Sequence, residues 1–214
     1  MSQHPQGLRA STQALVTRSV ILIVTCAATL VLLPAHVAMA APRVPTRPHS
    51  VALDRFVHTA TAANTTANTT SLDELPHDQN LVINVTPTWN TNDTCGCVFD
   101  SAPLGVWWNG STWAIFHEDS TPIGLGATFN VSAEIARDGL HDLFFHVATS
   151  ANSVGNYTIL DDPALNGNPN AIVIVTQNWN PAGVCACRYN PRYIGVWYTG
   201  SHWAIFNEDA TPMP

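Results

Sequence analysis

GVWWNGSTWAIFHED at residues 105–119 and GVWYTGSHWAIFNED at residues 195–209 match at eleven of fifteen positions with a constant offset of 90. Chance does not produce that in a chain of 214 residues, so the sequence is a tandem duplication. What the copies share is Gly, Val, Trp, Ala, Ile and Phe with one Glu-Asp pair, the make-up of a packed aromatic hairpin rather than of a catalytic centre. Asn109-Gly110 between the two apolar runs predicts a hairpin with a type I′ turn, since both residues accept a positive φ. A two-residue loop sets Val106 opposite Trp113 and Leu104 opposite Ile115; a three-residue loop sets Trp107 opposite Trp113. The sequence leaves both registers open.

Outward from the hairpin the duplication continues. FVHTATAANTTANTTSLD from Phe56 aligns with FFHVATSANSVGNYTILD from Phe144 at an offset of 88, and two residues inserted near Pro163 bring the offset to 90. LVINVTPTW and AIVIVTQNW are rich in Val, Ile and Thr and bounded by Asn, Pro and Gly, which predicts strands. Mild helical character is confined to SAEIARDGLHDL at residues 132–143, and Gly139 ends it. About five short strands per repeat, with turn signals at intervals of roughly ten residues, predict an all-β protein of two tandem small antiparallel β-sandwich or barrel domains.

The boundaries read as residues 1–40 signal peptide, 41–53 Pro-rich linker, 54–133 first repeat, 134–141 junction and 142–214 second repeat. ATFNVSA at residues 127–133 has no counterpart in the second repeat of this sequence. The second domain is therefore expected to lack its last strand and to present an unpaired edge, covered by residues 42–51 or by self-association with a second copy.

The leader has Arg9 and Arg18, then an apolar run of fifteen residues, SVILIVTCAATLVLL, then the small-x-small site Ala38-Met39-Ala40. The run is short of the roughly 20 residues that span a bilayer, and Thr25 before Cys26 is wrong for a lipoprotein anchor. Export is expected, with localisation secreted, extracellular or at the cell surface and no membrane contact after cleavage. Beyond Ala40 six Arg and no Lys face fifteen Asp and Glu, a net charge of −9 with His neutral. Nucleic acid and anionic membranes need a basic face, so neither is an expected partner.

Taken together, VTQNWNPAGVCACRYNPRYIGVWYTGSHWAIFNEDATPMP and the run before it resemble an uncharacterised family of bacterial secreted and surface proteins with tandem Trp- and Asn-rich β domains. The resemblance implies an extracytoplasmic setting and a repeat architecture. It implies no reaction, cofactor or catalytic residue.

Four cysteines follow the leader as two matched Cys-x-Cys pairs, Cys95 with Cys97 and Cys185 with Cys187. An even number in an exported chain favours disulfides, within each motif if the strand bends at Gly96 and Ala186, or between repeats. Free thiols and a four-Cys metal site remain as alternatives, and the spacing is wrong for the metal site. His58 and His146 are matched and read as hydrogen-bonded structural histidines. Glu118-Asp119 and Glu208-Asp209 read as turn residues, because neighbours in sequence point to opposite faces and cannot flank one bond. No metal site, cofactor or catalytic residue is expected, and the chain is not expected to be an enzyme.

Six matched Trp fill small cores or, where exposed beside Asn, stack on sugars. Trp107, Trp197, Asn90 and Asn180 are the candidate ligand-binding residues of a non-catalytic module for carbohydrate or another surface protein. The alternative is a structural surface repeat with no small-molecule ligand. Seven Asn-x-Ser/Thr sequons are present, at Asn64, Asn68, Asn84, Asn92, Asn109, Asn130 and Asn156.

Overall fold

Alternation of apolar residues builds the first sheet. In the computed structural model, which describes residues 52–89, 98–135, 143–181, 185 and 187–214, β7 (Thr128–Ile135) buries Phe129, Val131 and Ala133, while β4 (Leu81–Thr88) buries Leu81 and Ile83 on the same side. β7 lies between β4 and β1 (Ala52–Thr59), antiparallel to both, with Phe129 opposite His58 on one side and Pro87 on the other. Pro87 is tolerated because β4 is an edge strand of this sheet. Residues 132–135, where the sequence suggested a helix, belong to β7. Pairing with both neighbours satisfies their backbone groups and overrides the weak helical pattern.

The second sheet runs β10 (Gln177–Asn178), β5 (Leu104–Trp108), β6 (Trp113–His117), β3 (Thr69–Ser71), β2 (Thr65–Thr66). Its inner residues Val106, Trp113 and Ile115 meet Leu81, Ile83, Phe129, Val131 and Ala133 of the first sheet in one buried cluster. The two sheets enclose that core as a sandwich, and neither closes into a barrel. The third sheet, β11 (Ile194–Tyr198), β12 (Trp203–Asn207), β9 (Tyr157–Leu160), β8 (Ser153–Val154), repeats the second in the later half of the chain. The protein is thus all-β with two tandem domains, and residues 47–214 form one compact unit.

The hairpin adopts neither register read from the sequence. Trp108 pairs with Trp113, Val106 with Ile115 and Leu104 with His117, around a loop of four residues. Asn109 Oδ1 accepts from the Ser111 and Thr112 amides at 2.9 and 2.8 Å, and positive φ occurs at Gly110 but not Asn109. That side-chain cap replaces the type I′ turn. In the second copy Thr199 Oγ1 takes the same role toward Ser201 and His202, and Tyr198 pairs with Trp203. The shift from the two-residue loop is by two positions, so the inward face remains Leu104, Val106, Trp113 and Ile115 as read.

The second repeat shows no counterpart of the first sheet among the described residues. Its matches to β1 (residues 144–147) and to the first six positions of β4 (residues 171–176) form no strand. β7 supplies the ladder that makes strands of those segments in the first repeat, and no described segment takes that place in the second.

Candidate functional site

Matched polar residues form the internal frame of each repeat. His58 is fully buried, its Nε2 at 2.8 Å from Thr70 Oγ1 and its Nδ1 at 3.1 Å from Glu74 Oε1. His146 repeats the first contact, with Nε2 at 2.7 Å from Thr158 Oγ1, and burial lowers its pKa. Asn64 accepts from the Thr61 amide and donates to Thr59 O; Asn152 does the same with Thr149 and Val147. Trp113 and Trp203 donate from Nε1 to the matched carbonyls of Asp78 and Asn168 at 2.8 and 2.9 Å. These contacts close loops within each domain, as expected of structural histidines and core tryptophans.

The outward face of the hairpin is where the repeats meet. β10 pairs in parallel with β5, Gln177 opposite Gly105 and Asn178 opposite Val106, and the ladder continues as the Trp179 amide donates to Val106 O at 3.1 Å. The Asn180 side chain then acts as one further peptide unit: its Oδ1 accepts from the Trp108 amide at 2.8 Å and its Nδ2 donates to Trp108 O at 2.5 Å. Trp179 stands edge-on to Trp107 at 5.7 Å, and Tyr189 stands edge-on to Phe116 at 5.9 Å. Tyr193 donates from its hydroxyl to Ser101 O. Of the candidate ligand residues, Trp107 and Asn180 are therefore engaged in this seam. Asn90 lies outside the described residues.

Trp197 stands apart. It is 43% exposed, with Tyr157 edge-on at 5.0 Å, and the strand that bears it is an outer strand of the third sheet among the described residues. Phe116 and Glu118 are buried beneath the second repeat, whereas the matched Phe206 is half-buried and Glu208 is exposed. The Trp motif alone does not carry this difference, because the cover comes from the neighbouring repeat.

The carboxylates divide by depth. Asp119 and Asp209 each accept from the amide and hydroxyl of the Thr two residues on, Thr121 and Thr211. For Asp119 desolvation is the largest single influence, but the Thr121 bonds and the nearby His117 together outweigh it; for Asp209 the Thr211 bonds come first, and both acids are held below the usual carboxylate range. Glu118 is 3% exposed; burial pushes its pKa up to about 7, against one amide bond from Asn190 at 3.0 Å. Gly105 lets Phe116 and Glu118 lie flat over the strand, since a Cβ there would meet Phe116 Cε1 at 2.6 Å.

One buried pair escaped the sequence reading. His117 Nε2 lies 2.9 Å from Asp100 Oδ2, and its Nδ1 lies 2.8 Å from Thr121 O. Desolvation opposes a charged ring, yet the hydrogen bond and charge of Asp100, with the Thr121 carbonyl, outweigh it and raise the His117 pKa. The signal was present in the alignment, because His117 and Asp100 become Asn207 and Asn190 together.

Cys185 and Cys187 sit at disulfide distance with Cα atoms 4.9 Å apart, and Cys187 takes a φ of 49°, the local bend that a Cys-x-Cys bridge requires. Cys95 and Cys97 lie outside the described residues.

A cavity of about 580 Å³ lies between the repeats, lined by Phe144, His146, Leu160 and Ile205 of the second and by Val82, Asn84 and Glu118 of the first among others. Four of those, Phe144, His146, Leu160 and Ile205, match Phe56, His58, Leu72 and Ile115 of the first repeat.

The family profile for a domain of unknown function, DUF7452, matches residues 47–133 and again 134–214. The chain belongs to that family, as two tandem copies of its domain. Neither curated proteins nor solved structures give a match.

Proposed function

We propose that the chain is an exported, non-catalytic binding module whose ligand class is carbohydrate, taken at the outward face around Trp197. The supporting observation is the asymmetry of the matched pair: Trp107 is packed against Trp179, while Trp197 keeps 43% of its surface exposed beside Tyr157. An exposed indole face matches the CH face of a pyranose, and in a site of this kind a few polar groups supply orientation. A catalytic role is not assigned: Glu118 accepts the Asn190 amide at the wall of the cavity, and Asp119 is committed to its own turn.

Screening of the mature protein on a glycan array tests the reading. Binding that is lost in Trp197→Ala and kept in Trp107→Ala is the expected result; an empty array, or equal loss in both variants, overturns it. Export is tested separately. The first residue of the secreted protein should be Ala41, and sequence from upstream of Pro34 in exported material would refute cleavage after Ala40.

A second reading, a structural surface repeat without a small-molecule ligand, draws on the seam. β5 of the first repeat accepts β10, while β11 at the matched place is an outer strand with no partner on its far side among the described residues. Such a contact is head-to-tail, the kind that builds arrays. An empty glycan array together with concentration-dependent assembly would favour this reading.

A further inference from the structure

The seam joins a receiving face on the first repeat to a docking face on the second, and each repeat carries both faces. On the receiving side Trp107 meets Trp179, Phe116 meets Tyr189, and Glu118 Oε2 accepts the Asn190 amide at 3.0 Å. The second repeat builds the same receiving face again. Phe206 and Glu208 lie flat over Gly195, where a Cβ would meet Phe206 Cε1 at 2.7 Å, as Phe116 and Glu118 lie over Gly105. The Glu208 amide donates to Tyr193 O at 2.9 Å, as the Glu118 amide donates to Pro103 O. This face is formed and open: Trp197 is 43% exposed, and Glu208 is exposed with it. The docking face is also present twice. At the positions of Trp179 and Tyr189 the first repeat has Trp89 and Phe99, which are 62% and 80% exposed. Trp89 directly follows β4, an outer strand of its sheet among the described residues.

We infer that these two exposed faces bind each other between copies: the Trp89 and Phe99 face of one chain docks on the Trp197, Phe206 and Glu208 face of a second copy, in the geometry of the internal seam. The inference rests on the second reading above and names its partner and its contact residues. The seam sets the register. Pro87 and Thr88 lie opposite Gly195 and Val196 in parallel, as Gln177 and Asn178 lie opposite Gly105 and Val106. β4 of one copy thereby extends the third sheet of the next at β11. Trp89 stands against Trp197, Phe99 against Phe206, and the Asp100 amide meets Glu208 as the Asn190 amide meets Glu118. A second copy is the occupant because one chain carries both halves of a contact it already makes once within itself. The contact between copies is the weaker one, since Pro87 has no amide to donate and Pro103 stands where Tyr193 donates to Ser101 O. Two different faces meet, so every dimer keeps one free face of each kind and growth continues as an open array. A sugar at Trp197 competes with the incoming copy for the same surface.

Complementation between variants of the full exported chain tests the inference. Sedimentation of the parent at concentrations up to about 1 mM, where even weak contacts are populated, should show association that continues past the dimer. Trp89→Ala with Phe99→Ala blunts the docking face, and Trp197→Ala with Glu208→Arg blunts the receiving face. All four side chains are exposed, so both double variants should melt with the parent. Each alone should stay monomeric. An equal mixture should give one-to-one dimers and nothing larger, because each variant supplies the face that the other lacks. Association that persists in either double variant, a mixture that stays monomeric, or a parent that stops at a dimer overturns the inference and leaves the structural reading to some other surface. A parent that is monomeric throughout overturns both.

Discussion

His117 Nε2 stands 2.9 Å from Asp100 Oδ2, both side chains about 5% exposed, and at the matched positions Asn190 Nδ2 donates to Asn207 Oδ1 at 2.8 Å. One fold thus holds the same place with an ion pair in the first repeat and with two amides in the second. Either solution satisfies the buried polar atoms, whereas a mixture of the two strands a charge. His117→Asn alone should cost about 3 kcal/mol, because it leaves the Asp100 carboxylate buried without its cation. His117→Asn with Asp100→Asn should recover most of that loss. Urea unfolding of the two single variants and the double variant measures the coupling.

Protonation of His117 links the pair to pH. Its folded pKa is raised above 6.5, so its contribution is complete below the unfolded value and is lost as pH climbs through the folded one. Glu118 has the same sign. Its folded pKa of about 7 exceeds the ordinary 4.5, so stability declines between those values as the unfolded chain ionises first. Glu118→Gln keeps an acceptor for the Asn190 amide and removes the buried charge. The variant should be more stable than the parent at pH 8 by about 2 kcal/mol and should flatten the slope between pH 4.5 and 7. Melting curves across that range decide the matter, and an unchanged slope would put the ionisation elsewhere.

The seam between the repeats explains how far the sequence could be read. The Val, Ile and Thr content of LVINVTPTW and the run ATFNVSA identified strands, because it is local to each segment, and the offset of 90 identified the duplication, because the repeated motif is itself contiguous. Trp113 and Trp203 are identical in the motif, yet one is fully buried and the other half-buried. Their difference comes from β7 and from the neighbouring repeat, which are long-range contacts that no local pattern encodes. The hairpin register failed for a related reason: Asn109 satisfies two amides with its side chain, so a four-residue loop competes with the two-residue turn. Of the candidate site, Trp197 is exposed as a sugar-stacking residue requires, while Asn180 is spent on the backbone of Trp108.

The short bridge makes a weaker demand on stability. Cys185 and Cys187 close a loop of three residues, so the entropy removed from the unfolded chain is small, about 1.5 kcal/mol. Thiol titration of the native exported protein should find this pair oxidised. The double variant Cys185→Ser, Cys187→Ser should melt only a few degrees lower, a drop much larger than that marking a bend that the bridge alone maintains.

Asn180 is the most exacting test of how the repeats are joined. Its amide meets both the N–H and the C=O of Trp108, at the end of a parallel ladder that begins with Gln177 and Gly105. Alanine there leaves two half-buried backbone groups without partners, a cost of about 1 to 3 kcal/mol. That cost falls on the seam and not on either core, so its signature is cooperativity as much as stability. The parent should unfold in one transition followed by Trp fluorescence and far-ultraviolet dichroism alike. Asn180→Ala should split it, with the second repeat melting first because among the described residues its inner face has no counterpart of the β7 that covers the first. Coincident transitions in the variant would mean that the Trp179 and Tyr189 contacts hold the seam without the clamp.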